Sequence, residues 1–559
     1  MPDSASLLVW VDHHPQSYLW PVGGLIVIAL ASAVRPLLKD QYDDTRGHDW
    51  WWGLSILAIL IAGRWPSFLF SRELDVDESQ LLAGAHALTY DPVFWRSVNG
   101  GTAGPLDFFA LWPAGWLCGW DTYLPARLTA VALLATVLIL AHQSMALVLG
   151  RQVARIAGLA AVSLESLTHA ADFLHYSTEL VPLVLLSAAA YATIRRWCTQ
   201  GDPLWSGLGG LMLGAVPFAK LQAAPLATAM GLCWLWAELR TKEPSALRHR
   251  TYLIAGALLP AVLFACQLTI AGEWRSFIMS YLLFNVHYAA AGSATYGQSL
   301  LVMLGNSMWW DRLLPIGLLG GLAWLVLMLR LRAVPPRATR SFTWTACAAC
   351  LIALGSIIGP KRPYIHYWQL LLVPGVFLLG AMTARLLSSS PPRSRRPDQW
   401  LVALCTMGLI GIMLHHRSQN PNSFLGDLAY FHRFARTELA IRVAARARPG
   451  EALAIWGRTD NIYVETGLRQ ATRDSHFGSL VEAGPQQQYV RQRYLADLSY
   501  AKPAIFLDSV GPANPHYTDP EFAHDRNYPE LAAVIRAHYV LVEQAAGARI
   551  YRRKDLVTW

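Results

Sequence analysis

Long apolar runs recur from residue 18 to residue 415, and they decide what this chain can fold into. A run of roughly 17–25 apolar residues is long enough to span a bilayer as a helix. Inside lipid, every backbone N–H and C=O must be satisfied within the segment, so such runs are helices. Of the 559 residues, 54% are hydrophobic and only 15% charged. A soluble chain would carry about 25% charged residues. The expectation is a polytopic α-helical membrane protein of about twelve spans. They fall near 18–36, 51–70, 122–150, 155–171, 178–194, 204–219, 222–239, 251–271, 312–330, 342–359, 369–386 and 400–415. The first 17 residues lack a basic stretch, so no cleavable signal peptide is expected.

Charge in the loops orients the spans. One set of loops carries 19 Lys and Arg, from Arg35 and Lys39 through Arg195, Arg196 and Arg240 to Arg395 and Arg396. The opposite set carries 7: Arg72, Arg96, Lys220, Arg275, Arg312, Lys361 and Arg362. The positive-inside rule makes the richer set cytoplasmic. Both termini and the first long loop, 71–121, then face outward, which in a bacterial inner (plasma) membrane is the periplasm. Much of the net charge of +9 lies in those short loops, so no nucleic acid is expected as a partner. The cytoplasmic loops hold no Gly-rich nucleotide-binding pattern, which argues against an ATP-driven pump. The seven cysteines lie in or beside apolar runs, and none follows Cys405.

From His416 onward the pattern changes. Short apolar runs of strand length, ALAIWG (452–457), PAIFLDS (503–509) and YVLVE (539–543), alternate with helix-like stretches at 428–448 and 528–538. That alternation predicts a soluble extracytoplasmic α/β domain over 416–559, after a transmembrane domain over 1–415. No GxGxxG follows any of the strands.

The first outer loop opens with three carboxylates, Asp75, Asp77 and Glu78, where the second span leaves the bilayer. Acidic residues there either cap the next helix, whose N-terminus carries partial positive charge, or do chemistry. A carboxylate can take the proton of an acceptor hydroxyl as its oxygen attacks. Asp75 and Asp77, two residues apart, would also point the same way on an extended approach and could share a cation. Asp172, His175 and Glu179 form a second acidic patch at the next outer junction. A divalent cation (Mg, Mn or Zn), if one is used, would meet Asp75, Asp77 and Asp172, and spacing does not choose among metals.

The stretch DVDESQLLAGAHAL followed by DPVFWRSVNGGTAGPL resembles the first outer loop of the GT-C glycosyltransferases. It is most similar to the bacterial group of aminoarabinose transferase and relatives of protein O-mannosyltransferase. Arg127, GAVPFAKLQAAP (214–225), YIHYWQLLLVPG (364–375) and IWGRTDNIYVETGLRQATR (455–473) extend the resemblance across most of the chain. It implies an inverting transfer of a sugar from a polyprenyl-phosphate-sugar donor to a glycan, lipid or protein acceptor, at the outer face of the membrane lipid. Asp77 matches the family's base, with Glu78 orienting it and Asp75 in reserve, and no obligatory cofactor is implied. Relatives often carry Lys before the Pro of this loop, whereas this chain has Gly104-Pro105. The donor phosphate must then be held elsewhere. Lys220, Lys361, Arg362, Arg275 and Arg312 are the cationic candidates, beside Tyr364, His366 and Tyr367, with Asp172 and Glu179 on the sugar. Two other classes use similar parts: a flippase or transporter of lipid-linked sugar, and an oligosaccharide ligase or polymerase working on a polyprenyl pyrophosphate.

Overall fold

The computed structural model describes residues 6–7, 10–11, 14–39, 45–168, 170–198, 202–292, 294–305, 337–388, 396–419, 436–476, 478–481, 484–512, 514 and 516–557. Every expected span falls on a helix except 312–330, which lies outside the described residues together with Arg312. Six helical stretches are long and apolar enough to cross a membrane: Leu19–Leu38, Trp50–Leu69, Leu124–Val148, Ala246–Ala271, Thr339–Ile358 and Ile365–Leu387. Leu204–Phe218 and Gln399–His415 are apolar but shorter. The protein is therefore a polytopic membrane protein with a small sheet.

The chain forms two compact units. One gathers Met1–Ser67, Ala130–Phe264 and Tyr288–Ala429; the other gathers Phe68–Thr129, Ala265–His287 and Tyr430–Trp559. In the first unit, charges on the helices meet partners, because an unpaired charge at that depth is costly. Arg64 Nη2 reaches Glu165 Oε2 at 2.9 Å, and Arg196 Nε reaches Glu238 Oε1 at 3.0 Å. The core of this unit includes Leu186, Leu213, Trp234, Ile357 and Tyr367.

In the second unit, β1 (Ala452–Trp456), β2 (Arg469–Gln470), β3 (Ile505–Asp508), β4 (Tyr539–Ala545) and β5 (Ala548–Arg553) make one sheet in the order β2-β1-β3-β5-β4. β1 pairs in parallel with both β2 and β3, whereas β3–β5 and β4–β5 are antiparallel. The expected strands appear at β1, β3 and β4. The sequence pattern missed β2, which is two residues long, and β5, the return arm of a hairpin whose turn holds Ala546 and Gly547 at positive φ. The expected helix over 428–448 is described only from residue 436, where it runs Glu438–Ala445.

The loop over residues 71–121 folds into the helices Val76–Leu88, Phe94–Ser97, Pro105–Phe109 and Trp112–Cys118. Ala83, on the first of these, shares a buried core with Ala440, Leu453, Ile455, Ile462 and Tyr463. The loop and the C-terminal α/β region thus share a hydrophobic interior and lie on the same side of any membrane.

Candidate functional site

The carboxylate segment is held by three devices. Asp75 caps the Val76–Leu88 helix: its Oδ1 accepts the N–H of Asp77 at 2.9 Å. This satisfies one of the donors that a helix start leaves unpaired. Glu78, fully buried, is gripped by Arg127, which donates from Nε to Oε1 and from Nη2 to Oε2 at 2.6 Å. The same Arg127 Nη2 donates to the Arg72 carbonyl at 2.9 Å, and the Leu74 N–H donates to Glu78 Oε2 at 3.2 Å. Glu78 therefore ties the loop down from inside. The third device is Gly84, where a Cβ would overlap the Phe108 ring, so the helix and the Pro105–Phe109 turn approach as closely as glycine permits.

Asp77 stands in the first turn of this fixed helix. It is half-buried, and its carboxylate takes no hydrogen bond or ion pair among the described residues. A rigid backbone carrying an uncommitted carboxylate is what a general base requires.

A fourth carboxylate, Glu73, belongs to the same segment and the sequence reading passed over it. Its Oε2 accepts from Ser79 Oγ, which also meets the Tyr123 hydroxyl at 2.9 Å. Burial pushes Glu73 up to about 7, and the charges of Asp460, Glu78 and Glu465 add to this against the pull of the Ser79 hydrogen bond. The available signal was its place in SRELDVDE, one turn before the helix it supports.

Asp460 and Glu465 come from the 455–473 motif. Glu465 takes the backbone N–H of Thr437 at 2.5 Å and Asn461 Nδ2 at 2.8 Å, and pairs with Arg72 Nε at 3.3 Å. Asp460 pairs with His476 at 3.5 Å. Arg275 lies exposed with its guanidinium over the Tyr489 ring, 5.1 Å from the centroid.

The remaining predicted residues sit in the other unit. Lys220 occupies a break between two short 3-10 turns, Val216–Phe218 and Leu221–Ala223. It is buried, pairs with Glu179, donates to Thr178 Oγ1 at 2.5 Å and lies 5.0 Å over the Tyr367 ring. Asp172 meets His366 Nδ1 at 3.4 Å, and the His175 and His366 rings stand edge to face at 5.8 Å. Burial works against the charge on Asp172, but the hydrogen bond and charge of His366, with His175, hold it below the usual carboxylate range. Tyr364 stacks on His366 at 5.6 Å, and the Tyr367 hydroxyl stands 3.4 Å from that of Tyr288.

Lys361 and Arg362 differ from Lys220. Neither makes an ion pair or side-chain hydrogen bond among the described residues. Lys361 lies 5.3 Å over Tyr296, on a backbone at φ +55°, and Arg362 lies 4.6 Å over Tyr288.

Asp508, His524 and Asp525 are the one grouping of three metal-ligand types among the described residues, their ligand atoms within 4.8 Å of one another. Of the sequence's candidate metal ligands, Asp75 and Asp77 lie in one compact unit and Asp172 in the other. The Asp508 trio is already served by a cation. Arg549 donates to Asp508 Oδ2 at 2.5 Å and to both Asp525 oxygens at 2.9 Å. His524 Nδ1 also meets Asp508 Oδ2, at 2.6 Å. A guanidinium in that position repels a dication, so these residues do not fit a metal centre.

The sequence matches no protein-family profile and no curated protein sequence. Among solved structures, the chain is similar to ArnT from Cupriavidus metallidurans, whose crystal structure holds undecaprenyl phosphate. The TM-score is 0.55 at 13% identity, covering 89% of this chain and 97% of that one. The Archaeoglobus fulgidus oligosaccharyltransferase, tethered to an acceptor peptide, matches at TM-score 0.34 and 11% identity, over 82% of this chain and 69% of that one. The likeness to ArnT is one of fold: this chain shares the fold of that membrane protein over most of the length of both chains.

Proposed function

We propose that the protein is an inverting glycosyltransferase. It moves a sugar from a polyprenyl-phosphate donor to a hydroxyl acceptor, a cell-envelope glycan, lipid or protein, on the outer face of the inner membrane. Asp77 takes the acceptor proton, the acceptor oxygen attacks the anomeric carbon from the side opposite the phosphate, and polyprenyl phosphate leaves. Glu78 and Asp75 position the helix that carries Asp77. Lys361 and Arg362 balance the charge that grows on the leaving phosphate, as preorganised cations do. Lys220, matched by Glu179, holds Tyr367 and the 365–371 turn; Asp172 and His366 bind sugar hydroxyls. The chain in this reading crosses the membrane about twelve times, with residues 1–415 as the membrane domain and 416–559 outside.

The observation that carries the proposal is the pairing of a rigid helix start with an uncommitted Asp77 carboxylate. The GT-C fold, seen in ArnT with undecaprenyl phosphate bound, supports the class of donor. The test is transfer by purified wild-type and Asp77→Asn protein from a polyprenyl-phosphate sugar, with the released lipid analysed by mass spectrometry. Loss of transfer in the variant and release of a monophosphate are expected. Wild-type rates in the variant would remove Asp77 as the base, and a released pyrophosphate would point instead to an oligosaccharide ligase.

A further inference from the structure

The α/β region holds a second feature that the proposed transfer does not use. In the order β2-β1-β3, the chain leaves β1 toward β2 on one flank and leaves β3 toward the hairpin on the other. Parallel strands whose following loops diverge in this way open a crevice at their carboxyl ends, the usual ligand position in open α/β sheets. The two loops that border it are Gly457–Asp460 and the segment after Asp508.

These loops are closely fitted. Gly457 has φ +144°, and a Cβ there would overlap Ser509 Oγ. Thr459 Oγ1 donates to Ser509 Oγ at 2.9 Å. Asn514 Nδ2 donates to the Ser509 carbonyl at 3.0 Å, and Asn514 Oδ1 accepts the N–H groups of His516 and Tyr517 at 2.9 Å each. Asn514 therefore fixes the turn that presents His516.

Charge matching at this edge is incomplete in one direction. Asp460 is answered by His476, Glu465 by Arg72 and Thr437, and Asp75 by the N–H it caps. Arg458, half-buried in the loop after β1, makes no hydrogen bond or ion pair among the described residues. A planar guanidinium left open in a closely fitted crevice matches an oxyanion, to which it can donate two parallel hydrogen bonds.

We infer that the carboxyl edge of the sheet, between the loops after β1 and β3, is an acceptor subsite. It takes a small oxyanion, phosphate or carboxylate, that the acceptor carries beside its reacting hydroxyl. Arg458 binds the oxyanion, and His476 and His516 flank it. This rests on the reading of Asp77 as the base. Arg458, His476, Asp460 and Asp75 all act on His516 through their charges, so the subsite adjoins the capped start of the Asp77 helix within one compact unit. Burial, with Arg458 and His476, holds His516 below its ordinary value against the pull of Asp460 and Asp75, so at neutral pH it is an uncharged donor or acceptor.

The test follows Arg458 itself in the full-length protein without any sugar donor. The protein is treated with phenylglyoxal, which modifies free guanidinium groups, and the labelled peptides are mapped by mass spectrometry. Modification of Arg458 is expected to slow about tenfold once inorganic phosphate or acetate stands at about ten times its dissociation constant. Whichever anion protects better names the oxyanion. Asn514→Ala, which frees the His516 turn, is expected to weaken the protection. Equal protection by chloride at the same ionic strength, or none by either oxyanion, overturns the subsite. The Asp77→Asn protein is mapped in parallel. Protected Arg458 in an Asp77 variant that still transfers sugar leaves the subsite standing and removes only the base. Unprotected Arg458 in an inactive variant does the reverse.

Discussion

The two compact units treat charge in parallel ways. Each contains buried ion pairs, among them Glu78–Arg127 in the unit with the α/β sheet and Glu179–Lys220 in the helical unit. Each also keeps charges that no counter-charge or hydrogen bond answers among the described residues: Asp77 in the first case, Lys361 and Arg362 in the second. A buried charge needs its partner because desolvation is expensive and only a close counter-charge offsets it. A half-buried charge can wait for a ligand. The sequence reading gave Glu78 and Lys220 roles beside Asp77 and Arg362; the geometry separates the paired pair from the open ones.

Four experiments bear on that difference. The largest effect belongs to Asp77: replacement by Asn is expected to lower transfer about 10²–10⁴-fold, the usual contribution of a general base. The unfolding midpoint should stay unchanged, because the side chain has no partner to lose. Second is Glu78→Gln, which leaves Arg127 buried without its counter-charge and is expected to cost about 3–5 kcal/mol of stability. A double Glu78→Leu, Arg127→Met variant should recover most of that loss in denaturant unfolding. If it folds no better than the single variant, the pair is not the device that fixes the loop. Third, Arg362→Gln is expected to raise KM for the donor about tenfold, equivalent to one lost charge-assisted hydrogen bond of about 1.4 kcal/mol. The fold should be untouched, whereas Lys220→Gln should reduce folded yield.

The smallest effect is a pH dependence. Glu73 titrates near 7 in the folded protein and near 4.5 when unfolded. Between those values the folded state holds the extra proton, so stability is greatest below about 4.5 and falls as pH rises toward 7. Glu73→Gln should flatten that part of the profile and raise the melting midpoint at pH 8 by roughly 2–4 °C. An unchanged profile would mean that Glu73 is solvated rather than held in the carboxylate cluster.

Legibility followed the range of the interaction. The spans were readable because a membrane helix is written in one contiguous run, as in Leu124–Val148. That acidic residues cap the next helix was readable for the same reason, cap and helix being neighbours in sequence; the cap itself falls on Asp75, two residues before Asp77. Strands β1, β3 and β4 showed as short apolar runs, but β5, ARIYRR, did not, because its alternation carries three arginines. Glu73 escaped because its shift arises first from burial, and then from the charges of Asp460, Glu78 and Glu465, of which Asp460 and Glu465 lie hundreds of residues away. The Lys220–Glu179 and Asp172–His366 pairs likewise join separate helices and turns, and no local pattern announces them.

By itself, then, the sequence determined a membrane protein with a carboxylate loop after its second span and a later α/β region, since hydropathy, capping and strand runs are local properties. Which charges are spent inside the protein and which stay open was decided only in three dimensions. That Glu78 meets Arg127, and that Asp77 and Arg458 meet no ion-pair or hydrogen-bond partner for their side chains among the described residues, are outcomes of long-range packing. The physical reason is that the cost of a charge depends on what surrounds it, and its surroundings come from distant parts of the chain.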